Sequence, residues 1–161
     1  MSEPETPIEA ALEAGTQDRQ RWMGILARAA RTDLESHWQA HGEGVEYDFL
    51  RKPECGLVMV RGRAGGSGQR FNLGEMTVTR CSVRMPNGMV GHSYIAGRDR
   101  RQAEFAAAFD ALLQDPRWHD DVTSQVINPL EQKHREARSK RSKKVAATKV
   151  DFFTLVRGED E

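Results

Sequence analysis

The chain has 161 residues, and its 24 lysine and arginine residues balance 24 aspartate and glutamate residues to a formal net charge of zero. This length fits one domain with some chain left over, and the charge balance argues against a generally basic nucleic-acid-binding protein. No apolar run approaches the roughly 18 residues of a membrane span, and the acidic N-terminus lacks the basic-then-apolar order of a secretory signal. Two cysteines, Cys55 and Cys81, cannot form a disulfide framework or a CxxC zinc site. We therefore predict a cytoplasmic protein.

Helices are predicted at the N-terminal end. Residues 1–16 form an acidic segment, interpreted either as a disordered tail or as a short helix that starts at the capping-box pattern of residues 6–9 and ends at Gly15. A stronger helix is predicted over residues 17–30, because its apolar side chains recur at helical spacing. Another capping box, at residues 32–35, predicts the start of a second helix.

The middle of the chain changes to short segments rich in Val, Tyr, Phe and Thr, with Gly and Pro between them. We predict four strands, at residues 45–52, 56–63, 75–85 and 89–95. Residues 86–88, with the sequence PNG, form a strong hairpin turn. The connections are too short for crossover helices, so the sheet is predicted to be mostly antiparallel.

Helical patterns return after the strands. Asp99 is a predicted helix cap, and a wide apolar stripe follows it: Phe105, Ala106, Phe109, Leu112 and Leu113. Asp115 and Pro116 are predicted to end this helix, and a half-buried helical piece and a last helix from residue 128 follow. The sequence thus predicts an α+β domain over residues 17–128, with a four-stranded mostly antiparallel sheet flanked by N-terminal and C-terminal helices.

Residues 129–161 are predicted to be a basic helical arm with an apolar tail. Residues 133–144 contain eight charged residues and no large apolar one, so the arm has nothing to bury against its own domain. The tail residues predicted to dock on a partner are Val150, Phe152, Phe153, Leu155 and Val156. Burial of each of these side chains would contribute a free energy of roughly 1.5–3 kcal/mol. An edge strand of the chain's own sheet is the alternative for the tail. The arm lacks the interleaved aromatic residues of a nucleic-acid-binding segment, so a solvated or partner-facing helix is favoured.

A glycine- and arginine-rich segment, RGRAGGSGQR at residues 61–70, is the best candidate for binding phosphate. Glycines let successive backbone N–H groups converge on an anion, and arginines add charge-assisted hydrogen bonds. The candidate residues are Arg61, Arg63, Gly65, Gly66, Gly68 and Arg70, with Arg98 added from the segment GRDRR at a predicted helix N-terminus. Neither segment matches a P-loop or a dinucleotide-binding motif. A long hairpin loop and a plain helix cap are the alternative explanations.

Other chemically active side chains give weaker signals. His37 and His41 have a spacing that can bind a metal, but no third ligand is evident, so a polar helix face is favoured and no metal is predicted. Cys55 and Cys81 lie on predicted strands and are interpreted as small core residues. Residues 92–94, with the sequence HSY, are interpreted as sheet residues because no Ser/His/Asp order is readable. No catalytic residue is identified from the sequence.

The order of several blocks resembles the PhnG-type subunits of bacterial carbon–phosphorus lyase. The blocks are RQRWM at residues 19–23, the segment 65–81, GHSY at 91–94 with GRD at 97–99, DALLQ at 110–114, and VDFFTLVRG at 150–158. The likeness extends roughly from residue 17 to residue 158 and leaves only the acidic N-terminal segment outside it.

This resemblance implies an obligate subunit in phosphonate catabolism. The family implies partners of the PhnH, PhnI and PhnJ types, with ATP-binding-cassette proteins of the PhnK and PhnL types attached. With the PhnH-, PhnI- and PhnL-type partners, it supports transfer of the ribose triphosphate moiety of ATP to a phosphonate, with release of adenine. The nucleosidase-like chemistry belongs to the PhnI-type chain in that family. This chain is therefore expected to be a structural or regulatory subunit of a transferase complex.

The same resemblance implies that the chain binds no cofactor by itself, with ATP as a substrate of the whole complex. No membrane or nucleic-acid contact is expected. Two other functions stay open from the sequence: a purely structural scaffold without substrate contact, and a nucleic-acid-binding domain that uses the basic arm.

Overall fold

A computed structural model describes residues 7–147 of the chain, with side-chain environments given for residues 15–146. The elements, in chain order, are α1 (Pro7–Arg28), α2 (Arg31–His41), β1 (Asp48–Arg63), β2 (Arg70–Arg84), β3 (Val90–Ala96), α3 (Arg100–Leu113), α4 (Pro116–Val122) and α5 (Asn128–Ala147). A 3-10 turn at Ala64–Gly66 joins β1 to β2, and a π-helical turn at Thr123–Ile127 joins α4 to α5. The predicted α+β class is confirmed. The predicted docking residues between Val150 and Val156 lie outside the described residues, so that role stays a prediction.

Within residues 7–147 the sheet has three antiparallel strands in the order β1-β2-β3, so the prediction of four strands over residues 45–95 is wrong. Residues 45–52 and 56–63 were predicted as separate strands, but most of both lies in the single long strand β1. Pro53 suggested a break because proline donates no backbone hydrogen bond to a sheet. It is tolerated here because β1 is an edge strand and its register with β2 shifts between Arg51 and Glu54.

Helix α3 supplies much of the core. Each member of the predicted apolar stripe, from Phe105 to Leu113, is buried, as the periodicity indicated. Side chains from the inner face of β2 and β3, among them Val83 and Ile95, join the same cluster. Trp38 of α2 packs edge-on against Phe109, with the ring centroids 5.3 Å apart. The described helices thus cover one face of the sheet, and no described helix covers the other face.

The helix boundaries confirm one predicted cap and correct two expectations. The Asp99 carboxylate accepts hydrogen bonds from the backbone N–H groups of the first turn of α3, as predicted. Helix α2 instead begins at Arg31, before the predicted capping box, and its N-cap residue Ala30 makes no side-chain capping bond. Gly15 does not end α1, which continues to Arg28. An isolated glycine costs about 1 kcal/mol relative to alanine in a helix, which a long helix with a packed apolar face tolerates.

Asp115 joins the turn between β2 and β3 to the start of α4. Its carboxylate accepts hydrogen bonds from the backbone N–H of Arg117 at 3.0 Å and from Asn87 Nδ2 at 2.6 Å, and it pairs with the Arg117 guanidinium at 2.6 Å. The hydrogen bond from the Arg117 side chain is the largest influence, and together these contacts lower the pKa of Asp115 from 3.8 to about 2.

The lowered pKa predicts a pH dependence of stability. A carboxyl group whose pKa falls on folding stabilises the protein above its ordinary pKa, and this contribution is lost as pH falls from 3.8 toward about 2. We expect Asp115→Asn to flatten the dependence of the free energy of unfolding on pH in that interval, measured by urea denaturation. Glu43→Gln, at an exposed carboxylate, is the control and is expected to keep the wild-type slope. Equal slopes for wild type and Asp115→Asn would contradict the prediction.

Candidate partner and anion surfaces

Strands β1 and β2 extend beyond the sheet as a two-stranded ribbon. Strand β3 pairs with β2 only from Val78 onward, so residues 56–77, here called the ribbon, have no third strand beside them among the described residues. Nine large hydrophobic side chains are exposed in the part of the chain with described side chains, and five of them lie on the ribbon: Leu57, Met59, Phe71, Leu73 and Met76. Clustered exposed apolar side chains of this kind mark interaction surfaces more often than scattered ones do.

The two faces of the ribbon differ in chemistry. Because side chains alternate along a strand, Leu57, Met59, Arg61 and Arg63 share one face, which we call the arginine face. Arg70 belongs to it as the direct cross-strand partner of Arg63. The opposite face, here the apolar face, carries Val58, Val60, Phe71, Leu73 and Met76. Gly62 lies on that face, since a Cβ atom there would be 3.4 Å from the Phe71 ring and 4.0 Å from Leu73 Cβ.

The turn at the end of the ribbon contains the predicted phosphate-binding glycines. Gly65 and Gly66 have φ angles of 60° and 82°, a left-handed conformation that favours glycine. The backbone N–H of Gly68 donates to the carbonyl oxygen of Ala64 at 2.8 Å, and Arg63 Nη1 donates to the Gly68 carbonyl oxygen at 3.2 Å. Some of the predicted donors are therefore used to hold the turn itself. Phosphate binding by this segment stays a prediction.

Arg98 lies apart from the three ribbon arginines. Its carbonyl oxygen is 4.0 Å from Cys55 Sγ. Cys55 precedes Arg63 by eight residues on β1, which places the two residues about 26 Å apart along an extended strand. Asp99, the next residue, already occupies the backbone N–H groups of Arg101 and Gln102 at the start of α3. The structure thus brings Arg61, Arg63 and Arg70 together but places Arg98 elsewhere.

The two cysteines have different environments, and only one fits the prediction of core residues. Cys81 is buried, and burial raises the pKa of its thiol to about 11. Cys55 is exposed on the edge strand β1, so the prediction that it is a core residue is wrong. Its Sγ lies 3.5 Å from the Thr79 hydroxyl, and this hydrogen bond, followed by the influence of Arg100 and Arg98, lowers the pKa of the Cys55 thiol.

The open face of the sheet carries paired polar side chains. His92 Nδ1 and Ser82 Oγ are 2.8 Å apart across β2 and β3, and Arg80 Nε donates to Glu54 at 2.7 Å across β1 and β2. Within the described part of the chain no carboxylate pairs with the imidazole ring of His92, so the residues of a Ser/His/Asp triad are not assembled there. The interpretation of residues 92–94 as sheet residues is confirmed, with Ser93 buried and donating to the Ala103 carbonyl oxygen at 2.6 Å.

His37 and His41 stack on α2 with ring centroids 6.4 Å apart. Burial, followed by the neighbouring His41, lowers the pKa of His37. Over the residues that the structure describes, no three His, Cys, Asp or Glu side chains form a group that could hold a metal ion.

Asp110 connects three elements in a way that the sequence patterns did not indicate. Its fully buried carboxylate accepts from Arg19 Nη2 at 2.8 Å, from Trp22 Nε1 at 2.8 Å and from the backbone N–H of His92 at 2.8 Å. These contacts join α1, β3 and α3 at one point, which we call the Asp110 junction. The blocks RQRWM, GHSY and DALLQ of the sequence resemblance meet at this junction. The occurrence of these three blocks in one chain was the sequence signal that could have located the junction.

Helix α5 pairs with α1 and α2 near its beginning. Glu131 pairs with Arg21 of α1, and Lys133 Nζ lies 2.8 Å from the Asp33 carboxylate of α2. From residue 135 to residue 146 every side chain is exposed. This exposure agrees with the expectation that residues 133–144 have nothing to bury against their own domain.

Comparison with known proteins gives the same family as the sequence resemblance. Residues 17–158 match the family described as phosphonate metabolism protein PhnG. The chain belongs to this family. A PhnG relative from Rhizobium meliloti (strain 1021), named alpha-D-ribose 1-methylphosphonate 5-triphosphate synthase subunit PhnG, is 44% identical over 151 residues. The alignment covers 92% of this chain and 94% of the relative.

The PhnG match includes both the ribbon and the Asp110 junction. It also includes most of the tail beyond the described residues, with its predicted docking side chains. Among the helices that the structure describes, none has the length and apolar character needed to cross a membrane.

Proposed function

We propose that this chain is a subunit of alpha-D-ribose 1-methylphosphonate 5-triphosphate synthase and acts in phosphonate breakdown. The observation that carries the proposal is the 44% identity, over nearly the whole length of both proteins, to a relative with that name. The complex transfers the ribose triphosphate moiety of ATP to a phosphonate and releases adenine. This chain supports the reaction together with PhnH-, PhnI- and PhnL-type partners, and it also associates with PhnJ- and PhnK-type proteins in the cytoplasm.

Two surfaces support a role within an assembly. The ribbon exposes five large hydrophobic side chains, and α5 extends with charged side chains away from its contacts with α1 and α2. Burial of each exposed hydrophobic side chain of the ribbon against another protein would contribute a free energy of roughly 1.5–3 kcal/mol. The predicted docking residues from Val150 to Val156 follow α5 directly in sequence and are proposed as a second contact.

The proposed function is tested by co-purification. The tagged chain, co-expressed with PhnH-, PhnI- and PhnJ-type proteins, is expected to yield a complex that forms the ribose triphosphate product from ATP and a phosphonate once the PhnL-type protein is added. A chain ending at Lys149 removes the predicted docking residues and is expected to lose the complex. Failure of the full-length chain to form any complex would overturn the proposed function. Survival of the complex without the tail would instead assign the tail to the chain's own sheet.

A further inference from the structure

The ribbon exposes apolar side chains on both of its faces. On the arginine face, Leu57 and Met59 are 62% and 52% exposed. On the apolar face, Leu73 is 66% exposed and Phe71 46%. A partner that packs flat against one face would leave the other in water. Both faces are removed from water together only when the ribbon enters a cleft.

The edges of the ribbon point to the same arrangement. Among the described residues β1 is an edge strand of the sheet, and β2 has no neighbour on its other side between Arg70 and Met76. Both strands therefore present backbone N–H and C=O groups that a neighbouring strand or loop can pair with. The walls of a cleft can supply such partners on both edges.

The arginines define the chemistry expected at the end of the ribbon. Arg63 and Arg70 are direct cross-strand partners, and like charges in that position destabilise a strand pair unless an anion lies between or beside them. Arg61 lies two residues before Arg63 on the same face, and none of the three pairs with a carboxylate in the described part of the chain. Residues 56–77 contain three arginines and one glutamate, a net charge of +2 in a chain whose net charge is zero. Such a cluster fits a phosphate group, to which arginine donates charge-assisted hydrogen bonds.

We propose that the ribbon inserts into an apolar cleft of another synthase subunit and brings Arg61, Arg63 and Arg70 to the polyphosphate group of the substrate held at the end of that cleft. This inference rests on the proposed function, which supplies both a partner subunit and a triphosphate. A second copy of this chain fits less well, because a symmetric contact between two ribbons covers one face of each and adds more arginines without an anion. Assembly is assigned to the apolar side chains, and contact with phosphate to the arginines.

The experiment uses the reconstituted complex and separates these two roles. Leu57→Ser combined with Leu73→Ser removes one exposed leucine from each face and is expected to weaken assembly at least about tenfold, equivalent to about 1.4 kcal/mol. Leu50→Ser is the matched control, because Leu50 is 47% exposed on β1 outside the ribbon. The triple variant Arg61→Gln, Arg63→Gln and Arg70→Gln is expected to assemble normally but to form the triphosphate product at least about tenfold more slowly. Arg98→Gln is expected to have little effect on the rate.

Several outcomes would overturn the inference. If the wild-type complex forms and the double leucine variant forms it equally well, the ribbon is not the docking element, while the proposed function stands. If the isolated wild-type chain is a dimer in sedimentation experiments and the double leucine variant is a monomer, the ribbon binds a second copy. If the arginine variant fails to assemble in the absence of nucleotide, the arginines bind carboxylates of the partner and not phosphate. Unchanged product formation by the assembled arginine variant would exclude the phosphate contact.

Discussion

Replacing Asp110 by alanine is expected to lower the free energy of unfolding by about 3–5 kcal/mol, because two N–H donors lose their acceptor and a partly exposed guanidinium loses its partner. The substitution leaves the Arg19 guanidinium without its carboxylate partner. It also leaves the Trp22 indole N–H and the His92 backbone N–H without their acceptor. Each buried donor without an acceptor adds a desolvation penalty of about 1–3 kcal/mol, so the whole Asp110 junction is weakened together.

Urea denaturation of three variants tests this prediction. Asp110→Asn keeps the shape and one acceptor oxygen but loses the charge, and it is expected to cost less than the alanine variant, about 1–2 kcal/mol. Asp120→Ala, at an exposed aspartate on α4, is the control and is expected to change stability by less than about 0.5 kcal/mol. An alanine variant at position 110 as stable as this control would show that the junction does not hold the three elements together.

Replacing Gly91 by alanine is expected to disrupt the packing of α3 on β3. A Cβ atom at Gly91 would lie 1.9 Å from the carbonyl oxygen of Ala107 and 2.6 Å from the backbone nitrogen of Ala111. Both atoms belong to the helix backbone, so no side-chain rotation can relieve the contact and α3 must move away from the sheet. Overpacking in a core usually costs about 1–3 kcal/mol, and a clash with helix backbone is expected to reach about 3 kcal/mol or more.

A second glycine of the same sheet provides the control. Gly56 has no atom within 4 Å of an added Cβ, so Gly56→Ala is expected to keep or slightly raise stability. The measurements are the yield of soluble protein and the free energy of unfolding of each variant. Wild-type stability of Gly91→Ala would show that α3 is not as close to β3 as the structure places it.

The sequence predicted what depends on local pattern. The cap at Asp99 and the apolar stripe of α3 were correct because capping and 3.6-residue periodicity act over a single turn or a single face. The number of strands was wrong because Pro53 looks like an interruption in isolation. Whether a proline interrupts a strand depends on which edge faces solvent and where the register shifts, and both are properties of the paired sheet.

At the candidate surfaces, too, the sequence predicted what residues close along the chain determine and missed what the paired sheet determines. The sequence located Arg61, Arg63 and Arg70 as a group, because they are close along the chain. Arg98 came from a second segment, and the sequence did not show how far that segment lies from the other three arginines, since this distance depends on the length of β1. It also placed Cys55 in the core, because a strand position does not show how far the covering helices extend. The two exposed faces of the ribbon were not foreseen, since alternation of apolar residues normally indicates one buried face.

The ribbon and the Asp110 junction are expected to form at different times during folding, because their contacts join residues at different separations along the chain. Residues that pair across the ribbon are close in sequence, whereas the hydrogen bond between Arg19 and Asp110 spans 91 positions. Short loops close with less loss of entropy, so hairpins form early and distant contacts form late. On the ribosome the ribbon emerges before Asp110 does, and it is expected to pair first. The exposed apolar side chains of the ribbon would then be present before α3 packs on the sheet. Simultaneous synthesis of the partner would cover them and limit aggregation of the unfinished chain.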